Sequence, residues 1–579
     1  MQRRILFLFG NQACVPEDPL RAAKSLSCNT AVMAPRVPCG LPLGLVDCFE
    51  RARFRNPDTV IESARALHAA SPFHAVVGYD DQVVPFVARI ADALHLPGHP
   101  VEAADAARDK ALMKQRFVAA GLPIAAFRLA KNEDDAVRWA NDNGYPVVVK
   151  PIRGSASQGV IRANDEPTLR QAYRRLRRIV QDFGLDTGNR SDEEQLIESY
   201  LDGAEYSAEL IVEQGQPRVL CQFEKPQPLH GPYFEETMYV TPPRLMPAET
   251  SEIDELAVRA VQALGLSQGL AHCEIRWSSR GPFVLEVGAR LIGGACSRVF
   301  RQVLGEDIHP TVLRLALGDS IQIPEKRPGA AGAMMLPIPR KGRVTAVHGL
   351  DAARAVPGIG EVILSVAPGD AIVPFPEQSC YVGFLTASGE STADVCHSLQ
   401  LSASAIEMDL SPLICEYWTR DISAYAAYKP PADHDIHMLS ECSHAEARTI
   451  VLPLIADTNF NESPTGEALE EAKGCLEWLE RGNRGETAPN LWMVSGNGGV
   501  ALGSAEGETC YISCLGVLPS HRRGGLGRAL VCSMMALFAE RGCSTMRVLL
   551  DPGQPAPNAL YQELGFSPEA CAEQTCCCE

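Results

Sequence analysis

Lys150-Pro-Ile-Arg-Gly154-Ser155-Ala-Ser157-Gln-Gly159-Val160 decides the reading of the first half of the chain. Just before it, Tyr145-Pro-Val-Val-Val-Lys150 is a β-branched run that predicts a strand with a lysine at its end. The glycine- and serine-rich loop then turns back into a second strand. Glycines let the backbone approach phosphate oxygens, where successive N–H groups form an anion nest. The lysine adds a point charge for the same phosphates. Alone the motif is weak, because an ordinary hairpin with a surface lysine reads the same way.

Three further elements add weight. Upstream, Arg108-Asp109-Lys110 opens a helix predicted from Asp109 to Ala120, with a second lysine in its first turn. Downstream, Leu196-Ile-Glu198-Ser-Tyr200-Leu201-Asp-Gly203-Ala-Glu205 sets two carboxylates around a turn between two predicted strands. Further on, His272-Cys-Glu274-Ile-Arg276 and Val284-Leu-Glu286-Val-Gly288-Ala-Arg290-Leu-Ile-Gly293-Gly294 place glutamates on two adjacent strands. Strand-borne carboxylates are costly in a core unless a cation lies between them. Mg2+ takes hard oxygen ligands and shares them with nucleotide phosphates, which gives the pair a chemical reason.

In this order the motifs resemble those of the ATP-grasp superfamily, over roughly residues 100–310. The resemblance implies ATP and Mg2+ as cofactors. It implies that Lys110 and Lys150 bind the α- and β-phosphates, and that the loop from Gly154 through Ser155 and Ser157 to Gly159 closes over the triphosphate. By the same resemblance Glu198, with the backbone of Tyr200 and Leu201, receives adenine. Glu205 then binds the ribose, and Glu274 with Glu286 holds Mg2+. Arg290 would stabilise charge on the transferring phosphate. Many members carry Asn where Gly288 stands, so one metal contact is lost here or supplied by water. The Glu286–Gly294 run is closer to the branch that joins amino acids into dipeptides. That implies a small-molecule carboxylate activated as an acyl phosphate, and an amine that displaces phosphate.

Around this core the chain reads as an α/β multidomain protein. Residues 1–100 alternate apolar strands (Ile5–Phe9, Ala75–Gly78) with helices such as Val84–Leu94, the rhythm of a Rossmann-like layer preceding the ATP-grasp fold at 101–324. Asp80-Asp81, just after a strand, would face a substrate or simply cap the next helix. Residues 223–250, rich in proline and glycine, predict a lid. Its Lys225, His230 and Glu235 would meet γ-phosphate or substrate, or else be ordinary solvated residues. His272 reads equally as a pocket residue or a satisfied buried histidine. A small β-rich accessory module is expected at 325–425 and a linker at 426–444, centred on Lys429-Pro-Pro-Ala-Asp-His-Asp435.

A second signal lies at Cys510-Tyr-Ile-Ser-Cys-Leu-Gly-Val517-Leu-Pro-Ser-His-Arg522-Arg523-Gly524-Gly525-Leu526-Gly527-Arg528. A strand runs into a glycine-rich turn that opens an amphipathic helix, Leu526 to Glu540. Such a helix start offers unpaired N–H groups to a pyrophosphate. Downstream, Asn558-Ala-Leu-Tyr561-Gln-Glu-Leu-Gly565-Phe566 adds a short helix and a Gly-Phe pair. Residues 445–579 resemble the GNAT acetyltransferase family, which implies acetyl-CoA as cofactor. Val517 would pair with the pantetheine arm, Arg522 to Gly527 with neighbouring Asn558 would hold the cofactor, and Tyr561 would protonate the leaving thiolate. A core tyrosine is the plain alternative. Glu506 and Glu508 are base candidates only by proximity.

A net charge of −18 argues against nucleic-acid and anionic-membrane partners. No apolar run is long enough to span a bilayer, the opening residues suit a buried strand better than a signal peptide, and a cytoplasmic enzyme is expected. The 20 cysteines are scattered without zinc-type spacing, and Cys571, Cys576, Cys577 and Cys578 read as a frayed tail. A homodimer stays open. Two working heads are the first reading; an acyl-CoA-sensing module regulating the ligase is the second. A biotin-carboxylase-like activity is disfavoured, since no Met-Lys-Met carrier signal occurs.

Overall fold

Ile5-Leu-Phe-Leu8 has no side chain suited to water, and its strand, Arg4–Leu8, is buried inside a four-stranded parallel sheet. The order is Cys48–Arg51, Asn29–Ala34, Arg4–Leu8, Ala75–Gly78. The computed structural model describes residues 2–10, 16–35, 42–52, 54, 56–182, 185, 190–191, 193–227, 229–323, 325–378, 380–412, 416–431, 434–438, 492–496, 498–506, 508–518, 521–550 and 555–568. The chain divides into two units, Met1–Leu410 and Ser411–Glu579.

In the first unit, Asp109 accepts the backbone N–H groups of Ala111 and Leu112 at 3.1 Å each, capping the helix Lys110–Ala119. That cap fixes Lys110 and Lys114 one turn apart on one face. Val147–Lys150 pairs antiparallel with Ile161–Ala163 on one side and Gln195–Ser199 on the other, and Phe127–Ala130 completes a four-stranded sheet. Val147 and Val149 are wholly buried, each contributing about 1.5–3 kcal/mol of apolar burial.

The strands expected on either side of Asp202-Gly203 are present but do not form a hairpin. Gln195–Ser199 stays in the small sheet, while Ala204–Glu213 enters an eight-stranded sheet. Gly203 makes the crossing at φ +93°, and a Cβ there would lie 1.9 Å from the Trp277 carbonyl oxygen. The large sheet runs Gly281–Gly288, Gly269–Ser278, Ala204–Glu213, Gln216–Lys225, Met238–Thr241, Ala330–Leu336, Gly383–Gly389, Ile359–Leu364.

The small β-rich segment expected at 325–425 shares its sheet with what precedes it: Ala330–Leu336 pairs with Met238–Thr241, and all seven of its residues are buried, continuing the eight-stranded sheet. One expectation is corrected here. Residues 223–250 are not one irregular lid: a strand runs through Lys225, Met238–Thr241 is another, and a helix begins at Pro247.

In the second unit a seven-stranded sheet runs Ile436–Met438, Trp492–Ser495, Gly499–Glu506, Thr509–Val517, Thr545–Leu550, Glu416–Asp421, Ser567–Pro568. The expected linker at 426–444 therefore includes a strand of this sheet, Ile436–Met438, while Trp418 and Ile422, before it, are buried in the core of the second unit. Residues 445–491 of the predicted transferase domain, and the cysteine tail, lie outside the described residues. Among the described residues no helix is long and apolar enough to cross a membrane.

Candidate functional site

The small four-stranded antiparallel sheet and the eight-stranded sheet of the first unit enclose a cleft, which Tyr79, Asp80 and Asp81 also line. Of the predicted ligase residues, all line it except Gly159, Lys225, His230 and Glu235. One wall carries the cations. Lys150 Nζ donates to Glu198 Oε2 at 3.0 Å, Lys114 Nζ lies 3.3 Å from Glu198 Oε1, and Lys110 Nζ lies 3.1 Å from Glu286. Burial pushes the Glu198 carboxyl up, but the charges of Lys114 and Lys150 outweigh it and hold it below the usual range. Burial likewise favours neutral Lys150, and the Glu198 charge overrides it. Glu198, expected to receive adenine, is thus bound to two lysines here. Lys114 was missed; its signal was its place one turn beyond Lys110.

The opposite wall carries the acids. Glu274 and Glu286 are register partners across two antiparallel strands. The register then shifts between Glu274 and Ile275, leaving Leu285 as an extra residue, so consecutive Leu285 and Glu286 both reach the cleft. The tightest carboxylate group is a different one. Oxygens of Glu205, Glu236 and Glu274 lie within 4.8 Å of one another. Lys225 sits among them, donating at 2.5 Å to Glu205, 2.5 Å to Glu236 and 2.9 Å to Glu274. Lys225 is therefore a buried strand residue, not a lid residue. Burial lowers its basicity, but the three carboxylates raise it well above the ordinary value. Glu236 is pushed up to about 7, chiefly by burial. Burial also opposes charge on Glu274, but Lys225 and His272 hold it well below the usual range. The cluster takes Glu236 where the sequence pointed to its neighbour; Glu235 sits outside the cleft, raised to about 7 by burial.

His272 is both of the things it was read as. It lines the cleft, and its Nδ1 lies 2.6 Å from buried Glu209 while Nε2 lies 3.3 Å from Glu274. Burial lowers its pKa, yet the Glu209 charge carries it up to about 10. At the end of the cleft near Tyr200 and Leu201, Arg276 donates to the Leu201 carbonyl at 2.9 Å, to Glu205 at 2.7 Å and to the Leu229 carbonyl at 3.1 Å. Tyr200 stacks on Phe234, with the Arg162 guanidinium 4.1 Å from the Tyr200 ring centre.

At the other end, Arg290 donates to Asp81 at 2.7 Å, so that aspartate does face the cleft. Burial opposes the Asp81 charge, and Arg290 and Arg108 outweigh it. A Cβ on Gly288 would lie 3.2 Å from Asp81 Oδ1 and 3.6 Å from Arg290 Cζ. An asparagine at 288 would press on this ion pair, which accounts for the departure from the family pattern. The donor set suits a nucleoside triphosphate with a divalent ion: ammonium groups on one wall, hard oxygens on the other, and a glycine loop beside them.

In the second unit the helix Leu526–Glu540 starts from Gly525 at φ +84°. A Cβ on Gly524 would meet only one atom within 4 Å, at 3.7 Å, and on Gly527 only ordinary contacts. Internal packing does not demand these glycines, whereas close approach of a pyrophosphate would. The parallel pairing of Thr509–Val517 with Thr545–Leu550 ends at Ile512–Val548, leaving that edge of Gly516 and Val517 without a backbone partner strand among the described residues. Arg522 Nε donates to the Val517 carbonyl at 2.9 Å. Leu526 is buried, Arg523 stands at φ +69°, and Asn558 and Tyr561 are buried in the short helix Pro555–Glu563. Glu508 lies just before the start of this strand, roughly 30 Å from Val517 by strand rise. The Glu506 side chain lies outside the described residues.

The first unit is thus an ATP-grasp fold carrying a nucleotide-type cleft. Residues 143–299 match the family described as ATP-grasp domain, and residues 43–98 the ATP-grasp N-terminal domain. More particularly, residues 334–411 match the L-amino acid ligase C-terminal domain 2, and residues 464–566 match the Acetyltransferase (GNAT) family. The chain carries an amino-acid-ligase-like ATP-grasp region followed by a GNAT domain. It is similar to Uncharacterized protein y4rH of Sinorhizobium fredii, 28% identical over 60% of this chain and 69% of that one. It is also similar to Dapdiamide A synthase of Enterobacter agglomerans, 29% identical over 42% of this chain and only 55% of that protein. Among solved structures, L-amino acid ligase from Bacillus licheniformis shares the fold at TM-score 0.63 and 24% identity, over 71% of this chain and 99% of that one.

Proposed function

We infer that the first unit is a cytoplasmic ligase that uses ATP to join an amino-acid carboxylate to an amine. The observation that carries this is the register pairing of Glu274 with Glu286 opposite Lys110 and Lys150, with Arg290 at the end of the same cleft. Lys110 and Lys150 hold phosphate oxygens; Glu274 and Glu286 with Glu236 would hold Mg2+, which when bound would supply charge neutralisation at the phosphates. Arg290 stabilises charge on the transferring phosphate as an oxygen of the substrate carboxylate attacks the γ-phosphorus and displaces ADP. The resulting acyl phosphate loses inorganic phosphate to an incoming amine, which gives up a proton as the amide forms. Similarity to a dapdiamide synthase and an L-amino acid ligase supports a small peptide-like product. Lys150→Ala and Glu286→Gln should each abolish amino-acid-dependent ADP release while leaving acyl transfer intact. Persistence of ADP release in both variants refutes the assignment.

The second unit, on this reading, transfers an acetyl group from acetyl-CoA to an amine of the substrate or product. Arg522 to Gly527 grip the pyrophosphate and Tyr561 protonates the departing thiolate. Tyr561→Phe and Arg522→Ala should both lose CoA release in a thiol assay. A domain that only senses acyl-CoA would tolerate the first and fail to bind with the second.

A further inference from the structure

The glycine loop is not held by its own sheet alone. Ala156 and Ser157 stand at φ +49° and +55°, and Gly159 at +70°. Left-handed geometry at non-glycine residues costs about 1–2 kcal/mol each and persists only where neighbours enforce it. Within the loop, Gln158 N–H donates to the Ser155 carbonyl at 3.2 Å and Val160 N–H to the Ser157 carbonyl at 3.1 Å, and a distant part of the chain then holds the turn in place. Gly159 N–H donates to the Pro376 carbonyl at 3.0 Å, and Gln158 Nε2 donates to the Glu377 carbonyl at 2.7 Å. Glu377 is itself anchored, accepting from Arg175 Nε at 2.7 Å, and Arg175 lies on the helix Glu166–Asp182 with its guanidinium 5.0 Å from the Tyr233 ring.

The same segment also reaches the substrate end. Phe375 lies 5.7 Å from Tyr381 and Tyr381 6.2 Å from Phe384, ring centre to ring centre. Tyr381 and Phe384 line the cleft beside Met335. A substrate side chain resting on these rings bears, through Phe375, on the residue next to Pro376. We propose that Glu377 and Arg175 are positioning residues that latch the phosphate loop, and that an apolar or aromatic substrate side chain packed on Tyr381 and Phe384 stabilises the latch. Loop closure then follows carboxylate binding, and ATP is protected from water until its acceptor is present. The second clause rests on the ligase reading; the first does not.

The test compares wild type, Arg175→Glu, Glu377→Arg and the charge-exchanged double variant, all as the full chain. Each single variant should raise KM for ATP about threefold or more, the scale of a partly exposed ion pair acting on a loop. Each should also raise the ratio of ADP formed to amide formed, with kcat for ADP release little changed, and the double variant should return both toward wild type. Hydrogen exchange at 155–160 with Mg-ADP bound should be faster in the singles and restored in the double. If exchange and KM are unchanged in the singles, or the double is no better than either, the latch is refuted. If the exchange pattern holds but no amino acid pair gives amide, the latch stands and the ligase reading falls. For the substrate clause, alanine at Tyr381 should cost more with a large apolar amino acid than with glycine or alanine as the carboxylate; equal losses refute it.

Discussion

Replacing Lys225 with methionine would keep most of the stem and delete the one ammonium group inside the Glu205–Glu236–Glu274 cluster. Its side chain is 2% exposed and touches all three carboxylates. Removing one partner of a buried ion pair costs about 3–5 kcal/mol, because the charges left behind remain desolvated. With an unfolding entropy of roughly 2.1 cal/mol/K per residue over Met1–Leu410, that loss corresponds to a fall in Tm of about 4–6 °C. Part of it is relieved by proton uptake. Glu236 already sits near 7 through burial, with Lys225 pulling it down, so the variant raises it further. A carboxyl whose folded pKa is raised contributes stability fully present below its unfolded value and lost as pH rises through the folded one. The penalty should therefore be larger at pH 8 than at pH 6. Mg2+ should recover more of the loss in the variant than it adds to wild type, because a cation can take the vacated place. Scanning calorimetry of the full chain at both pH values, with and without Mg2+, reads all of this. A fall below about 1 °C at pH 8, or equal Mg2+ shifts in the two proteins, would refute the reasoning.

Glu235→Gln should stabilise the protein at pH 8 by somewhat under about 1 kcal/mol, after discounting for solvent screening. The Glu235 pKa is raised to about 7 by burial, so its contribution is lost as pH rises through that value; urea titrations should show the gap closing by pH 5, and a constant gap would count against the account. Arg276→Met removes the clip joining Leu201, Glu205 and Leu229, and should raise KM for ATP about tenfold with kcat nearly unchanged, as loss of a charge-assisted bond predicts. Steady-state kinetics with ATP varied would contradict this if kcat fell and KM stayed.

Local elements were legible where short-range physics decides them. The helix opening at Asp109, the strand ending at Lys150 and the helix Leu526–Glu540 all stand as their residues suggested. Long-range pairing was not legible. Nothing in residues 195–205 says that the two strands join different sheets, until Gly203 is seen against the Trp277 carbonyl. Nor does 330–336 announce its partner at 238–241, because a uniformly buried strand carries no alternation to mark a boundary. Site residues were readable where a motif bore them. Glu209 and Glu236 were not, since no motif bears them and each joins the site through the strands that bring His272 and Glu274 beside it; Lys114 had only its place one turn beyond Lys110 to mark it.

Leu285, the unmatched residue in Gly281–Gly288, has a bearing on insertions and deletions. Side chains alternate sides along a strand, so Val284 and Glu286 would keep their opposite faces if Leu285 were removed and the ladder became regular. What would go is the local bend and added twist that an extra residue brings. Position 285 is therefore a place where the edge of the sheet can be re-aimed at the cleft without turning its core face outward.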